Sequence, residues 1–392
     1  MKLKKNKWVT VKLSEVCEKT SNVDLRKQVG KFNYIDIGSI NSTAKRISEI
    51  QEIDWSRASS RARQIVKKGD TLFSTVRVNL EKIAFVDKDI PDAIASTGFT
   101  VIRANERADP EYLFYSTSSP SFIERLSKLQ KGTAYPAVSD RIVFNEEILL
   151  PPLEEQKEIG SLFQALENAM EELGIQERKM KDFSLRAIAD LTGENPQFGN
   201  LIDESQLIKY TIGQIAFEYA KREDNPRESK HTRYVGSDSI NRFDFKIEKW
   251  QSNLDISSSM KTFEPKDYLL VRRSLYASDF RERAPRADFS GLCSGDILTI
   301  KENNQIIYDG YLLIVLNAPR LWEFIVANAS GSITRRVKWT ELSKFEITLP
   351  DLETQKQIVE LFDQFQILIS ELKEQKTALR NLKQKLLNEI LG

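Results

Sequence analysis

The chain has 392 residues, of which 40% are hydrophobic and 29% charged, and its formal net charge is +1. This length exceeds one ordinary hydrophobic core and predicts two domains with connectors. No apolar run approaches the roughly 18–20 residues that a membrane span needs, and Cys17 and Cys293 are too few for a disulfide scaffold. We therefore expect a cytoplasmic protein. Because its overall charge is nearly balanced, any contact with nucleic acid has to use local basic patches or a basic partner.

Residues 1–150 make up the first predicted domain. They carry 25 Lys+Arg and 19 Asp+Glu, so this part of the chain is basic. The segments 72–78, 82–86 and 99–103 are rich in β-formers and bounded by Gly, Asp and Pro, whereas 111–130 has a helical pattern. The domain is therefore predicted to be α+β.

A long helix is predicted for residues 151–193, the first spacer helix. Pro152 suits a first helical turn, and Gly193 suits a left-handed cap after the last apolar position. Apolar residues recur in alternating steps of four and three, which is the pattern of a coiled-coil seam. The seam residues of this helix are Leu162, Leu166, Leu173, Gln176 and Met180.

The second half of the chain repeats this layout. Leu-Pro-Pro-Leu-Glu-Glu-Gln at 150–156 recurs as Leu-Pro-Asp-Leu-Glu-Thr-Gln at 349–355. Residues 194–349 form the second predicted domain, with a helix at 310–329, and 350–392 form the second spacer helix. The seam residues of this second helix keep the same phase and are Leu361, Phe365, Leu372, Gln375 and Leu379.

The two spacer helices are predicted to pack against each other as an antiparallel coiled coil, because each seam needs an apolar partner. Gln176 and Gln375 fall at the same layer and would form a buried polar pair that fixes the register. The alternative is that each helix packs on its own domain. The unit–helix–unit–helix order gives pseudo-twofold symmetry, which points to a twofold-symmetric partner or target.

The two predicted domains share sequence anchors but differ in the loops between them. Residues 34–41 match 234–241, 69–73 match 266–270, 96–98 fall near 293–295, and 132–133 fall near 331–332. The arginine-rich stretches 57–63 and 281–286 have no counterparts. One scaffold with different loops suggests two different targets that are read by the same means.

These features resemble the specificity subunit of type I restriction–modification enzymes. The resemblance covers essentially the whole chain. It departs from the family pattern in the second half, where Lys266 replaces a glycine and 332–335 replace a Gly-Thr turn. The segments that carry it are the repeated opening of a long helix, Gly69-Asp70 before a β run, and residues 74–84, 96–99 and 132–139.

The resemblance implies an α+β fold with two tandem α/β target-recognition domains, separated by two long helices that pack as an antiparallel coiled coil with pseudo-twofold symmetry. Each domain would read one half-site of a split, asymmetric DNA sequence, and the helix length would fix the unread gap. The chain would bind double-stranded DNA, two methyltransferase subunits and two motor–nuclease subunits, and it would catalyse nothing itself. S-adenosylmethionine would be bound by the partner methyltransferase, and this chain would hold no cofactor.

The search for catalytic motifs also favours a non-catalytic role. The sequence has no phosphate-binding Gly-x-x-x-x-Gly-Lys-Ser/Thr loop, and Asn195-Pro196-Gln197-Phe198 lacks the second proline of an amino-methyltransferase motif. His231 is the only histidine, and no Cys or second His lies beside it. Neither a metal site nor a Ser–His dyad is predicted, and His231 is expected at the surface or facing DNA.

DNA contacts are predicted on irregular segments, because Arg reads guanine edges and hydroxyls hold phosphates. The alternative for each arginine is a solvated or salt-bridged surface charge. For the whole chain, the competing function is a coiled-coil protein–protein adaptor without base-specific DNA reading. The candidates in the first domain are Arg77, Thr133 and Tyr135, followed by Arg57, Arg61 and Arg63; those in the second are Arg272, Arg273, Arg335 and Arg336, followed by Arg281, Arg283 and Arg286.

Overall fold

The computed structural model describes residues 5–24, 27–273, 282–332 and 334–392. The protein is α+β and divides into two compact units. Unit 1 comprises Met1–Gly174 and Lys373–Gly392, and unit 2 comprises Ile175–Leu372. Each unit therefore contains part of both long helices. In the described part of the chain, no helix has the length and apolar character that crossing a membrane requires.

The α/β part of unit 1 is built from short strands and three helices between residues 9 and 150. The strands form a sheet of order β5-β2-β9-β6, a sheet of order β10-β7-β8 and two strand pairs, β1-β11 and β3-β4. These labels denote β1 (Val9–Lys12), β2 (Lys31–Ile35), β3 (Ile40–Asn41), β4 (Arg46–Ile47), β5 (Gln51–Asp54), β6 (Ala62–Ile65), β7 (Thr71–Ser74), β8 (Ile83–Phe85), β9 (Ala93–Ser96), β10 (Phe99–Ile102), α1 (Pro110–Thr117), α2 (Pro120–Lys128), α3 (Asp140–Asn145) and β11 (Glu147–Leu150), which the long helix α4 (Leu153–Leu191) follows.

Unit 2 repeats this plan. Its strands form a sheet of order β14-β17-β19-β15-β16, a sheet of order β13-β20-β18 and the pair β12-β21. Its elements are β12 (Ile208–Thr211), α5 (Ile212–Ile215), β13 (Ala216–Glu218), β14 (Lys221–Glu223), β15 (Arg233–Val235), β16 (Gln251–Ser252), β17 (Met260–Phe263), β18 (Tyr268–Val271), β19 (Gly291–Cys293), β20 (Ile297–Glu302), α6 (Tyr311–Leu316), α7 (Pro319–Asn328), α8 (Trp339–Leu342), β21 (Glu346–Leu349) and the long helix α9 (Leu352–Leu391).

The same strand pair closes each α/β part and leads into each long helix. Val9 of β1 pairs with Leu150 of β11, and Ile208 of β12 pairs with Leu349 of β21. The first and last strands of each part are thus joined by an antiparallel ladder. The helix that follows leaves from an anchored point rather than from a free loop.

The glutamine of the repeated motif fixes the start of each long helix. Gln156 is 1% exposed; its Nε2 donates to the Pro151 carbonyl at 2.8 Å, and its Oε1 accepts from the Asp109 N–H at 2.8 Å. Gln355 makes the same contacts with Pro350 and Tyr308, at 2.8 and 2.9 Å. Each side chain therefore ties its helix both to the preceding strand and to the α/β part.

The helices predicted at 111–130 and 310–329 are each two helices. The first is divided between α1 and α2 at Ser118–Ser119, and the second between α6 and α7 at Asn317–Ala318. The reason is Pro120 in one unit and Pro319 in the other, since a proline is tolerated at the first helical position but not within a helix.

The long helices contribute to the hydrophobic core of each unit. In unit 1, Phe163 of α4 and Ile390 of α9 are buried in one cluster with residues of the α/β part, and Glu167 and Lys383 form an ion pair. In unit 2, Ile188 of α4 and Ile358 of α9 share another cluster. Also in unit 2, the rings of Phe183 and Phe365 meet edge to face, with centroids 5.2 Å apart. Both long helices therefore pack on the α/β parts, which is the alternative to packing only against each other.

The predicted seam lies beside the most buried face of each helix. Phe163 and Phe362 are buried, whereas their neighbours Leu162 and Leu361 are half-buried. Gln176 and Gln375 are both exposed. The prediction of a buried glutamine layer is therefore wrong, because the helix faces that bury most surface are set by contact with the α/β parts. The remaining apolar seam residues are half-buried: Leu166, Leu173, Met180, Phe365, Leu372 and Leu379.

Two further expectations are wrong at single residues. His231 is 6% exposed, so it is a buried residue rather than a surface one. Gly193 does not adopt a left-handed conformation. The end of α4 is instead closed by the N–H of Thr192, which donates to the carbonyl of Ile188, and by the N–H of Gln197, which donates to that of Asp190.

Candidate nucleic-acid interface

Each unit contains two loop segments that the same hydrogen bond joins. In unit 1, residues 75–81 lie beside 131–138, and the Val138 N–H donates to the Thr75 carbonyl at 3.0 Å. In unit 2, residues 272–273 lie beside 330–337, and the Val337 N–H donates to the Arg272 carbonyl at 3.2 Å. We refer to these as loop pair 1 and loop pair 2. Ile333 in loop pair 2 lies outside the described residues.

The bridges between the segments correspond residue by residue. Ala137 bridges to Val76 and to Lys131, and Arg336 bridges to Arg273 and to Ser330. Arg336 therefore occupies the position of Ala137, and Arg273 that of Val76. The two units share one backbone frame at this place but present different side chains from it.

A glycine makes the turn in each frame. Gly132 has φ +106° and Gly331 has φ +130°, values that L side chains rarely adopt. A Cβ on Gly331 would lie 2.3 Å from the Thr334 carbonyl oxygen, whereas a Cβ on Gly132 would lie 3.3 Å from that of Tyr135. The sequence of the Gly-Thr turn of unit 1 is therefore changed in unit 2, but the backbone conformation of its glycine is retained.

The turn before each central strand is also retained. Gly69 has φ +88°, and Lys266, which replaces it, has φ +75°. The following aspartate holds the turn in both units: Asp70 accepts from the Lys67 N–H at 2.7 Å, and Asp267 from the Glu264 N–H at 2.9 Å. Lys266 thus adopts a backbone conformation that is uncommon for a residue with a side chain.

Arg77 is the centre of loop pair 1. Its φ is +50°, in the left-handed region, and its N–H donates to the Pro136 carbonyl at 2.7 Å. Its guanidinium donates to the Ala134 carbonyl at 3.2 Å and lies over the Tyr135 ring, 4.9 Å from the centroid. Strained backbone is kept at a surface only where surrounding contacts determine it. Here those contacts bring Arg77 and Tyr135 together.

The predicted residues of loop pair 1 lie on the surface. Arg77 and Thr133 are exposed, and Tyr135 is 71% exposed, which is unusual for a large aromatic ring. A guanidinium stacked on an exposed ring presents both N–H donors and a π-face. Such a pair can contact base edges and phosphates.

Loop pair 2 carries two arginines that share one carboxylate. Nη1 of Arg273 donates to Oδ2 of Asp296 at 2.7 Å, and Nε of Arg336 donates to Oδ1 at 2.8 Å. The Asp296 side chain is 15% exposed, and those of Arg273 and Arg336 are 44% and 45% exposed. The two predicted arginines are therefore brought together at the surface by a residue that sequence reasoning missed.

No local sequence signal points to Asp296, because its two arginines are 23 and 40 residues away in sequence. Residues 96–98 fall near 293–295 in sequence, but the structural correspondence is shifted by one residue. In the structure, the Gly98 carbonyl accepts from the Thr75 N–H at 2.9 Å, and the Asp296 carbonyl from the Arg272 N–H at 3.0 Å. Gly98 therefore corresponds to Asp296. The strand pairing gives the same result, since Phe99 pairs with Ser74 and Ile297 with Val271.

The other arginines of unit 2 have different surroundings. Arg335 is half-buried, and its guanidinium donates to the carbonyls of Val326 and Ala329 at the end of α7. Nε of Arg272 is buried and has no hydrogen-bond partner among the described residues. Arg281 lies outside the described residues.

Arg283 is buried in unit 2, and Arg286 is half-buried. Arg283 is 4% exposed and donates to the Ser237 carbonyl at 3.1 Å; burial lowers its pKa. Arg286 donates to Asp309 at 2.5 Å and lies 3.7 Å from Glu302. Both side chains are therefore held by partners within the unit, and Arg286 keeps 24% of its side chain exposed.

The second-rank arginines of unit 1 lie between the end of β5 and the first half of β6. Arg57 and Arg61 are exposed, and Arg63 is half-buried with its Nε donating to the Ser60 carbonyl at 3.1 Å. The Arg61 carbonyl accepts from the Thr97 N–H at 2.9 Å, which ties this segment to the turn that precedes Gly98. No group of three or more His, Cys, Asp or Glu residues that could hold a metal ion occurs among the described residues.

Comparison with known proteins identifies the family. The family described as "Type I restriction modification DNA specificity domain" matches residues 5–178 and 286–379, which is more than half of the chain. The chain therefore belongs to this family of DNA specificity subunits of restriction–modification systems, as the resemblance in its sequence predicts.

Two relatives are similar over part of their length. The chain is 29% identical over 114 residues to the specificity subunit of the type I restriction enzyme HindI from Haemophilus influenzae, covering 28% of this chain and 25% of that protein. It is 29% identical over 179 residues to the MjaVIII specificity subunit from Methanocaldococcus jannaschii, covering 42% of this chain and 40% of that protein. The alignments thus span less than half of either relative.

Solved structures are similar over nearly the whole chain. A chain from a study of complex assembly and conformational transition of the type I restriction–modification system matches with 27% identity and a TM-score of 0.64, covering 98% of this chain and 97% of its own length. The HsdS subunit from Thermoanaerobacter tengcongensis matches with 26% identity and a TM-score of 0.50, covering 99% and 97%. The S subunit from M. genitalium, at 15% identity and a TM-score of 0.54 over 99% and 97%, shows the fold alone.

Proposed function

We propose that this chain is the non-catalytic, sequence-reading subunit of a type I restriction–modification complex, and that each unit reads one half-site of a split, asymmetric DNA sequence. The observation that carries this proposal is the shared frame of the two loop pairs. Each frame holds exposed cationic groups, Arg77 in one and Arg273 and Arg336 in the other, at positions that do not correspond. Equal scaffolds with unequal surface chemistry suit two different half-sites.

The proposed contacts use the ordinary chemistry of DNA reading. An arginine can donate two hydrogen bonds to guanine O6 and N7, whereas hydroxyls and backbone amides hold phosphates. Fixed side chains read sequence better than mobile ones, because less conformational entropy is lost on binding. Arg77 is fixed by its contacts with Ala134 and Tyr135.

The long helices are proposed to act as the spacer and the docking scaffold. They have 39 and 40 residues, which corresponds to roughly 60 Å each at about 1.5 Å per residue. In this proposal they form an antiparallel coiled coil between two tandem target-recognition domains, and their length sets the unread gap. Support comes from the contacts within each unit, where Glu167 meets Lys383 and Phe183 meets Phe365.

The partners of the complex follow from the same proposal. Two methyltransferase subunits would modify adenines with S-adenosylmethionine, and two motor–nuclease subunits would cleave unmodified DNA. The present chain would supply neither cofactor nor catalytic groups. The complex is proposed to act on double-stranded DNA in the cytoplasm.

Mapping methylated adenines tests the proposal. The chain is produced with its methyltransferase partner in cells that lack other adenine methylation, and the modified sites are sequenced. A bipartite, asymmetric site is expected. The change Arg77→Ala should relax or abolish recognition of one half-site, and Arg273→Ala should do the same for the other. Each lost base contact should weaken the binding free energy by about 1–3 kcal/mol. Lys128→Ala is the matched control, because Lys128 is exposed and pairs with Glu124 on its own helix.

Two results would contradict base reading. Uniform loss of methylation at all sites in the Arg77→Ala and Arg273→Ala variants would make these residues phosphate contacts. Failure of the chain to protect any specific DNA in footprinting, together with binding of the methyltransferase, would favour the protein–protein adaptor. Methyl transfer by the chain alone would contradict a non-catalytic role.

A further inference from the structure

Asp296 combines a rigid attachment with two cationic partners. Its N–H donates to Oγ of Ser294 at 3.2 Å, and its carbonyl accepts from the Arg272 N–H at 3.0 Å. Ser294 is itself fixed, since its N–H donates to the Val235 carbonyl at 3.1 Å. The carboxylate therefore extends from a tight turn between β19 and β20 whose position the sheet determines.

The two arginines that this carboxylate contacts lie in different segments of loop pair 2. Arg273 follows β18, and Arg336 lies beyond the turn at Gly331. Each donates through one nitrogen to a different oxygen of Asp296. A guanidinium has five N–H donors, and nearly half of each arginine side chain is exposed. The carboxylate can thus fix both groups while leaving donors available for DNA.

Unit 1 has no such arrangement. Gly98, Val76 and Ala137 occupy the positions of Asp296, Arg273 and Arg336. A Cβ on Gly98 would lie 2.8 Å from Cδ1 of Ile37, so the site has no room for an aspartate without movement. The arrangement in unit 2 is therefore not required by the shared frame.

Two unpaired arginines on a surface would act as mobile cations that bind any phosphate backbone. A carboxylate between them offsets one positive charge and restricts both guanidinium groups to one geometry. We propose that Asp296 is a positioning residue for sequence reading, which holds Arg273 and Arg336 in the geometry for base contacts and limits their binding to non-specific DNA. This inference rests on the proposed function, because it requires unit 2 to read a half-site.

The charge state of Asp296 supports this role. Burial raises the pKa of its carboxyl, but the hydrogen bonds from Arg273 and Arg336 lower it more, so the pKa lies below its ordinary value. The carboxylate is therefore ionised at neutral pH, as pairing with two arginines requires.

The change Asp296→Asn tests the inference in the methyltransferase complex. Asparagine keeps the size of the side chain and removes its charge. Mapping of methylated adenines should show relaxed bases only in the half-site that Arg273→Ala also affects. Binding to a short duplex that lacks the mapped site should become tighter, with a salt-dependence slope steeper by about 1, because an additional cation contacts phosphate. A merely structural defect would weaken binding to both kinds of DNA.

Glu341→Gln is the matched control. It removes the same charge from unit 2, but Glu341 pairs with Lys344 on the following turn and does not contact Asp296 or its arginines. The control should leave the methylated sequence unchanged. If it relaxes the same half-site, net charge rather than positioning explains the effect and the inference is overturned.

A double-mutant comparison separates this inference from the proposed function. In the Arg273→Ala, Arg336→Ala background, Asp296→Asn should cause no further relaxation, because the residues it positions are absent. If the arginine changes alter one half-site and Asp296→Asn does not, only the inference fails. If the arginine changes leave the methylated sequence intact, base reading by loop pair 2 fails as well. A variant that cannot assemble, or one that relaxes both half-sites, also overturns the positioning role.

Discussion

Loop pair 1 and loop pair 2 have the same backbone hydrogen bonds, the same bridges and a glycine at the same turn, but they fix their cations by different means. In unit 1, Arg77 is held by a carbonyl and an aromatic ring in a left-handed backbone conformation. In unit 2, Arg273 and Arg336 are held by a carboxylate from another strand connection. The shared backbone frame therefore determines the position from which a side chain can reach DNA. The surrounding residues determine which side chain is fixed at that position.

A second difference between the units lies where each long helix meets its α/β part. In unit 1, Gly160 of α4 faces Glu111, and a Cβ on Gly160 would lie 3.0 Å from the Cβ of Glu111. At the equivalent place in unit 2, Val359 of α9 faces Gly310, whose added Cβ would lie 3.2 Å from a Val359 methyl. In unit 1 the larger residue of the pair lies on the α/β part, whereas in unit 2 it lies on the long helix. The two units therefore fill the same space between helix and α/β part with opposite arrangements of a large and a small residue.

The largest expected difference between the units concerns their buried carboxylates. Asp70 is fully buried and accepts two hydrogen bonds from Arg103, both at 2.7 Å, whereas Asp267 forms an ion pair with Lys301, with Nζ 3.1 Å from Oδ1. Asp70→Ala leaves a mostly buried guanidinium unpaired and should cost about 3–5 kcal/mol, whereas Asp267→Ala should cost about 2 kcal/mol because Lys301 can turn to water. Hydrogen exchange of β7 and β18 reports the stability of each unit. Equal losses would contradict the ranking.

The shared glycine should tolerate substitution differently in the two units. Gly331→Ala requires a shift of the Thr334 carbonyl and should cost about 3 kcal/mol, whereas Gly132→Ala has more space and should cost about 1–2 kcal/mol. The measurement is thermal unfolding of each variant, with the methylated sequence mapped alongside. Each change should affect only the half-site of its own unit, and an effect on the other half-site would argue against independent frames.

The exchange of large and small residues can be tested by copying one unit into the other. Gly160→Val should destabilise unit 1 by about 2–3 kcal/mol through overpacking against Glu111. Adding Glu111→Gly, which reproduces the arrangement of unit 2, should recover part of that loss. Denaturant unfolding of the single and double variants gives the coupling energy. Strictly additive losses would show that the two positions do not share one space.

The smallest expected effect is the pH dependence that Asp296 contributes. Its pKa is lowered in the folded protein, so its contribution to stability is present above the pKa of about 3.9 of an unfolded aspartate. That contribution should be lost as the pH falls through the lowered folded value. The difference in unfolding free energy between the protein and Asp296→Asn should be constant from neutral pH to about pH 5 and shrink below it. A difference that grows with acidity would contradict the pairing.

The sequence by itself determined the repeated order of α/β part and long helix, because apolar periodicity and the Leu-Pro-x-Leu-x-x-Gln motif are local signals. It also indicated the family and the loops that contain Arg77, Arg273 and Arg336. It did not reveal why the glutamine of the motif is needed, since the partners of Gln156 are backbone groups more than 40 residues earlier and at the preceding strand.

Only the tertiary structure decided which helix faces are buried, where Gln176 and Gln375 lie, and which carboxylate joins Arg273 to Arg336. A heptad pattern shows that a helix has an apolar seam, but burial depends on everything that packs against that helix, including the α/β parts. Likewise, Asp296 is separated from its arginines by 23 and 40 residues in sequence. The pairing of β18 with β20 places Arg273 beside the turn that contains Asp296, and the bridge between Arg273 and Arg336 brings the second arginine to the same place.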